Sequence, residues 1–257
     1  MKAGLINLKT PREIQTMREA NLIVAEILGF LADVIRPGTT TGELDKIADR
    51  MITKAKAKAA FKGYRMRNQR PYPAAICSSV NEEIVHGIPG KRMLTEGDIV
   101  GIDVGVIYKG FVGDAARTYP VGRVSDNAMR LLQVTRESLY KGIDKARAGN
   151  RLQDISAAVQ THVELHGFSV VREFVGHGIG RKMHEPPQIP NYTGVGTNPR
   201  LEVGMTLALE PMVNEGTWKT KLLDDEWTAV TADGKLSAHF EHSIAITDNG
   251  PLILSEL

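Results

Sequence analysis

The stretch DIVGIDVGVIYKGFVGD, residues 98–114, decides how this chain folds. Apolar residues flank Tyr108, Lys109 and Gly110, and Gly110 can take a positive φ, so the pattern predicts a β-hairpin turning there. On that pairing Asp103 and Asp114 fall within about one residue of lying directly opposite each other. Directly opposed residues share a face, with Cβ atoms roughly 4.5–5.5 Å apart. Two ionised carboxylates so close, among Ile102, Val104 and Val112, repel unless a proton or a cation lies between them. Either aspartate alone reads more simply as a solvent-facing or turn residue. As a pair they form a candidate hard-cation or mixed nitrogen/oxygen site.

The first hairpin strand has an echo further along the chain. LTEGDIVGID (94–103) and LEVGMTLALE (201–210) align on leucine, glycine and a terminal carboxylate. A helix pair precedes each. Thr10, Pro11 and Glu13 form a capping box ahead of Ile14, Met17, Val24, Ile27, Leu28, Leu31 and Val34, and Pro37-Gly38 ends that run. Thr40/Thr41 with Glu43 opens a second helix through Leu44, Ile47 and Met51. It fades into Lys54, Lys56 and Lys58, read as a solvated face in preference to an RNA contact. Later, a helix from about Ser125 to Ala146 stops at Arg147-Ala148-Gly149, as the first stops at Arg36-Pro37-Gly38. Asn150 with Gln153 is expected to cap the next helix, which carries Leu152, Ile155, Val159 and Val163.

Strands after glycine turns are common, but two echoes in the same order at nearly the same offset point to a duplication. The expected fold is α+β. One domain, 1–257, has halves of roughly 10–120 and 121–257 related by a pseudo-two-fold, with a central antiparallel sheet and helices packed outside.

Three further residues belong with the aspartate pair. Glu210 ends the apolar strand before Pro211, and Glu241 lies in HFEHSIAI (239–246), which alternates like a half-buried strand. Glutamate is depleted in strand interiors, so both need a reason to be there. His177 sits in GHGIG (176–180), where flanking glycines allow close approach to its imidazole. Alone it would read as a loop histidine. Four carboxylates and one histidine suit two first-row metal ions, one of them receiving nitrogen.

Composition limits the remaining classes. The 257 residues are 42% hydrophobic with net charge +2, enough for a large core and too near neutral to imply a nucleic-acid or membrane partner. A single cysteine, Cys77, rules out an intrachain disulfide framework. The N-terminal ten residues lack the apolar core of a signal peptide, and the greasiest stretch, Ala20 to Ile35, is interrupted by Glu26 and Asp33. A cytoplasmic location is expected.

These motifs together resemble the methionine aminopeptidases. The set Asp103, Asp114, His177, Glu210 and Glu241 is similar to that family's metal ligands. NEEIVHGIP (81–89), GDIVGID (97–103), GHGIGRKMHEPP (176–187) and FEH (240–242) are similar in string as well. The likeness covers essentially the whole chain, and without a long N-terminal extension or the helical insertion of type II it is closest to the bacterial type I branch.

The resemblance implies a pita-bread fold and metal-dependent removal of an initiator methionine when the second residue is small. Asp103 would bind one ion bidentately, Asp114 and Glu241 would bridge, and His177 and Glu210 would complete the second ion's shell. A hydroxide shared by two ions (cobalt, manganese, iron or zinc) would attack the carbonyl, with Glu210 shuttling the proton and His86 and His184 holding the amide and oxyanion. Tyr64, Tyr72, Cys77, Met183, Trp227 and Phe61 would wall the methionine pocket. Extra residues around Arg65 to Arg70 depart from the family pattern there. A monovalent-cation site would fall on backbone near Asn81, Glu83 and Ser237.

Nascent polypeptide N-termini are the implied partners, with a transient ribosome contact, no DNA or membrane, and a monomeric state. Prolidase and aminopeptidase P share the ligand set but usually carry a separate N-terminal domain. A non-catalytic binding protein on the same fold would be expected to have lost ligands.

Overall fold

The computed structural model describes residues 5–65 and 70–257. Its first half runs α1 (Pro11–Val34), α2 (Thr41–Lys54), β1 (Lys58–Ala59), β2 (Ile76–Val80), β3 (Glu83–Val85), β4 (Ile99–Tyr108) and β5 (Phe111–Pro120). The second runs α3 (Asp126–Lys145), α4 (Leu152–Leu165), β6 (Ser169–Val170), β7 (Gly176–Gly178), β8 (Glu185–Ile189), β9 (Thr206–Leu209) and β10 (Met212–Asn214). It closes with β11 (Thr220–Leu222), β12 (Ala229–Thr231), β13 (Ser237–His239), β14 (His242–Thr247) and β15 (Gly250–Ile253).

Local chemistry starts and stops the helices as the sequence predicts, with one exception. Glu13 accepts from the Thr10 amide at 3.0 Å while Thr10 accepts from the Glu13 amide at 3.3 Å, and Thr40 and Glu43 repeat the arrangement. Ser125 caps α3. At α4 the expected Asn150/Gln153 cap does not form, because the Asn150 amide turns back to the Lys145 carbonyl at the end of α3. Asp154 instead accepts from the Arg151 amide, and the distant Asn198 accepts from the Gln153 amide. The lysines at 54, 56 and 58 are exposed, as expected.

The two halves use one set of backbone contacts twice. Gly38 and Gly149, both at positive φ, donate to the carbonyls of Leu94 and Leu201, each at 2.8 Å. Leu94 and Leu201 donate in return to Thr39 and Asn150, again at 2.8 Å. Gly97 and Gly204, at φ 96° and 94°, turn the chain into β4 and β9. These turns explain why the strands begin at Ile99 and Thr206, later than the leucines at which the sequence pattern starts.

Every strand ladder among the described residues is antiparallel. In the first half, β4 lies between β2 and β5; in the second, the order is β15-β14-β9-β7-β8. They meet where β5 runs beside residues 239–243. The Glu241 amide donates to the Ala116 carbonyl at 2.8 Å, and the Ser243 hydroxyl to the Asp114 carbonyl at 2.8 Å. Helices cover the outside: α1 and α2 bury Val24, Leu28, Leu31 and Leu44 against Val100, Ile102 and Val104, while α3 and α4 bury Leu131, Val159 and Val163 against Val170 and Val213. β14 is covered on both faces rather than half-buried: Ile244 and Ile246 share a core with Leu139 and Ile143 of α3, and Ala245 shares one with Met17 of α1 and Val112 of β5. No helix among the described residues is long and apolar enough to cross a membrane.

Helix α1 packs closely on β5 at Gly113. A Cβ there would stand 2.6 Å from the Ala20 carbonyl carbon and 2.7 Å from the Asn21 nitrogen, both backbone atoms that cannot swing aside. Gly113→Ala is therefore expected to destabilise the protein by about 2–4 kcal/mol, read from thermal or denaturant unfolding. A stability equal to wild type would show that α1 is free to lift off.

Candidate metal centre and pocket

The β4–β5 turn is tighter than the sequence pattern indicates. Only Lys109 (φ 50°) and Gly110 (φ 79°) lie between the strands, the pair of positive φ values that a two-residue hairpin turn needs. Asp103 consequently faces Ala116, and Asp114 faces Gly105. The aspartates are thus diagonal neighbours rather than directly opposed. An offset of two residues preserves the face, so both still point to the same side.

The other three predicted residues arrive from the second half. His177 lies in the middle of β7, Glu210 follows β9, and Glu241 lies between β13 and β14. Asp114, His177 and Glu241 each offer a ligand atom, all within 4.8 Å of one another. The Glu210 carboxylate comes to 3.4 Å from His177 Nε2, and Asp114 to 4.0 Å.

Electrostatics at this cluster is unresolved by protein atoms alone. Burial raises Asp103 to about 7. Burial pushes Asp114, Glu210 and Glu241 well above the carboxylate range, followed by the charge of Asp103 for the first two and of Asp114 for Glu241. Burial also drives His177 down to about 3, keeping the ring neutral. Its Nδ1–H donates to the Gly178 carbonyl at 2.9 Å, which leaves the Nε2 lone pair aimed at two carboxylates. Asp103 Oδ1, Asp114 Oδ1 and Glu241 Oε1 are buried without any hydrogen-bond partner. Buried oxygen atoms without hydrogen-bond partners, converging with an imidazole lone pair, fit divalent cations bound through nitrogen and oxygen.

The family model for metallopeptidase family M24 matches residues 15–248. The chain belongs to metallopeptidase family M24. It is 54% identical over 253 residues to methionine aminopeptidase 1 of Bacillus subtilis, covering 98% of this chain and 100% of that protein. Methionine aminopeptidase of Clostridium perfringens is 53% identical over 251 residues, covering 98% and 99%. The crystal structure of methionine aminopeptidase from Thermotoga maritima superposes with a TM-score of 0.94 at 48% identity, covering 98% and 100%. The fold is accordingly the pita-bread α+β architecture.

Beside the M24 cluster lies a cavity of about 360 Å³ whose lining includes the cluster and every predicted pocket residue. Tyr72 and Trp227 meet edge-to-face at 5.2 Å, and Phe61 meets Tyr72 at 6.5 Å. The Tyr72 hydroxyl donates to the Gly87 carbonyl at 2.8 Å and Trp227 Nε1 to the Arg70 carbonyl at 3.0 Å, so both rings are tethered. Phe61 and Met183 close over Gly105, where a Cβ would stand 2.8 Å and 2.9 Å from them. Cys77 pairs with Asp103 across β2 and β4, and burial together with that carboxylate pushes its thiol pKa up. Of the extra residues between the two tyrosines, 66–69 lie outside the described residues.

His86 and His184 also reach this cavity. His86 adopts φ 62°, a bend that turns its ring inward against Phe174 and Trp227. Burial lowers it to about 4. His184 packs edge-on to His177, ring centres 4.4 Å apart. The loop carrying Met183 and His184 is pinned by Glu185, which accepts from the amides of Arg181 and Lys182 and from Lys9 Nζ at 2.6 Å. At the implied cation position, the Ser237 amide donates to the Asn81 carbonyl, while the Glu83 carboxylate is held by Arg92 and the Val80 amide.

Two site residues are absent from the sequence reading. His239 ends β13 with Nε2 buried, unpartnered and 3.7 Å from Glu210; its spacing of two from Glu241 was the available signal, since alternate strand residues share a face. Asn21, fully buried on α1, accepts from the Asp114 amide at 3.1 Å. A lone amide in an apolar helical run marks it.

Proposed function

We propose that this chain removes the N-terminal methionine from polypeptides in a metal-dependent reaction, acting on nascent chains whose second residue is small. The observation that carries the reading is the orphaned carboxylate–histidine cluster opening onto a cavity that ends in apolar and aromatic walls. Met183 and the aromatic edges of Phe61, Tyr72 and Trp227 suit a polarisable thioether side chain. The buried carboxylates beside it supply the negative charge that a free α-amine requires, which favours cleavage at a chain end.

Asp103, Asp114, His177, Glu210 and Glu241 would hold two divalent ions; cobalt, manganese, iron and zinc all suit that donor set. Bound there, such ions supply Lewis acidity and a water acidic enough to act as nucleophile near neutral pH. Glu210, buried and with its proton affinity raised, accepts the proton and passes it to the leaving amine. His86, kept neutral by burial, and His184, whose pKa partial desolvation lowers, hold the scissile amide and donate toward the carbonyl oxygen as negative charge develops. A monovalent cation near Asn81, Glu83 and Ser237, a monomeric state, a cytoplasmic location and a transient contact with the ribosome complete the proposal.

With manganese restored, Met-Ala-Ser is expected to be hydrolysed and Met-Lys-Ser to be slower by on the order of 100-fold, because a long second side chain crowds the histidines and carboxylates. Equal rates would overturn the size rule. Turnover of X-Pro peptides in place of Met-Ala-Ser would assign the chain to a proline-specific activity, and tight RNA binding by inert protein would remove the enzymatic reading altogether.

A further inference from the structure

We infer that Tyr64 is a positioning residue that fixes the tautomer of His184, accepting no proton from it but donating its own hydroxyl hydrogen to Nδ1. The inference deepens the reading in which His184 faces the scissile amide, and it rests on that reading for its catalytic consequence.

Tyr64 Oη lies 2.7 Å from His184 Nδ1. Neither side chain makes another hydrogen bond among the described residues, so this is the one hydrogen bond that orients the ring, beside its edge-on packing against His177. Both partners stand on fixed mounts. The Tyr64 amide donates to the Phe61 carbonyl, and the Tyr64 carbonyl accepts from the Tyr72 amide, each at 2.8 Å. Tyr72 is itself 2% exposed and tethered through its hydroxyl. On the other side, His184 is followed directly by Glu185, which the Lys9 ion pair and two backbone amides hold in place. The hydroxyl therefore meets the imidazole between two braced segments.

A neutral imidazole has one N–H and one lone pair, and the partner of one nitrogen decides the state of the other. Nδ1 is taken by the phenol, so Nε2 is the nitrogen left for the cavity. That cavity is lined by five carboxylates, those of Asp103, Asp114, Glu173, Glu210 and Glu241, and by His177. The Tyr64 hydroxyl has no other acceptor among the described residues, and a phenol donates to an imidazole lone pair more readily than it accepts an imidazole N–H. The tautomer that receives this hydrogen at Nδ1 carries its own N–H on Nε2, ready to donate to the carbonyl oxygen of a substrate. Tyr64 thus acts on the reaction through His184, in addition to forming part of the methionine wall.

Tyr64→Phe keeps the ring and removes only the hydroxyl. In protein carrying ¹⁵N-labelled histidine and loaded with diamagnetic zinc, the wild-type His184 is expected to show a protonated Nε2 and an unprotonated Nδ1; His184→Gln identifies its resonances. Tyr64→Phe is expected to show a mixture of both tautomers, with kcat on Met-Ala-Ser reduced about tenfold and KM changed by less than about twofold, the loss of one hydrogen bond to a group that acts in the transition state. A wild-type His184 protonated on Nδ1, or an unaltered tautomer or kcat in Tyr64→Phe, would overturn the proposal. The wild-type spectrum decides the tautomer even if the variant does not fold. Absence of any Met-peptide turnover by wild type would refute the proposed function while the spectrum still decided the tautomer.

Discussion

Replacing His177 by alanine is expected to lower metal affinity by at least about 100-fold and to abolish metal-dependent turnover, while the fold survives. The separation of effects follows from where the residue sits. Its backbone pairs with Gln188 on β8 and Ala208 on β9, and neither ladder depends on the imidazole. The ring, in contrast, supplies the one nitrogen whose lone pair is directed at both Asp114 and Glu210. Unfolding free energy of the metal-free variant is expected to stay within about 2 kcal/mol of the metal-free wild type, the ordinary cost of deleting a buried side chain. Calorimetric titration with manganese, circular dichroism and peptide turnover read the three quantities separately. Wild-type turnover in the variant would exclude His177 from the proposed ligand set.

A second large effect is expected in how the metal-free protein responds to pH. Two families of buried group work in opposite directions. His86, His177 and His239 are held at about 4, 3 and 3 by burial, whereas the unfolded chain keeps such groups protonated up to about 6.5. They make stability rise as pH climbs through that interval. Asp103, raised to about 7, and Asp114, Glu210 and Glu241, raised well above their usual range, bind protons that the unfolded chain has released by about pH 4–5. They make stability fall with rising pH, and this continues after the histidines have finished titrating.

Below about pH 6.5 the two contributions offset each other. Above it the carboxylates act unopposed, joined toward pH 9 by the buried Cys77 thiol, and stability is expected to drop by about 1.4 kcal/mol per pH unit for each proton the folded state still retains. Between pH 7 and 9 the melting temperature of metal-free protein should fall, and saturating manganese should flatten the slope by replacing those protons. A flat or rising profile without metal would mean that the carboxylates are ionised and separately solvated.

What the chain discloses before folding is set by how local the controlling interactions are. The capping boxes at Thr10 and Thr40 and the glycines at 38, 97, 149 and 204 act within a few residues, so the helices, the turns and the repeated order of elements can be read from sequence. The face shared by Asp103 and Asp114 is equally readable, because strand alternation tolerates an offset of two. Their detailed register is less so, since it depends on whether Tyr108 belongs to the turn or the strand. Partners drawn from far along the chain leave little trace. Asn198 capping α4, Asn21 holding the Asp114 amide and Lys9 pinning the His184 loop are separated from their partners by 45, 93 and 176 residues. His239 escapes for another reason: three residues before His242 in an apolar stretch it looks like one more core histidine, and only the approach of Glu210, just after β9, distinguishes it.

The proposed hydrolysis requires divalent ions lying among side chains contributed by both halves of the chain. Crystals grown with manganese, with diffraction recorded to map its anomalous scattering, test this directly. The prediction is two peaks enclosed by Asp103, Asp114, His177, Glu210 and Glu241, next to the cavity walled by Tyr72 and Trp227. Peaks elsewhere on the molecule, with those five side chains left uncoordinated, would contradict it.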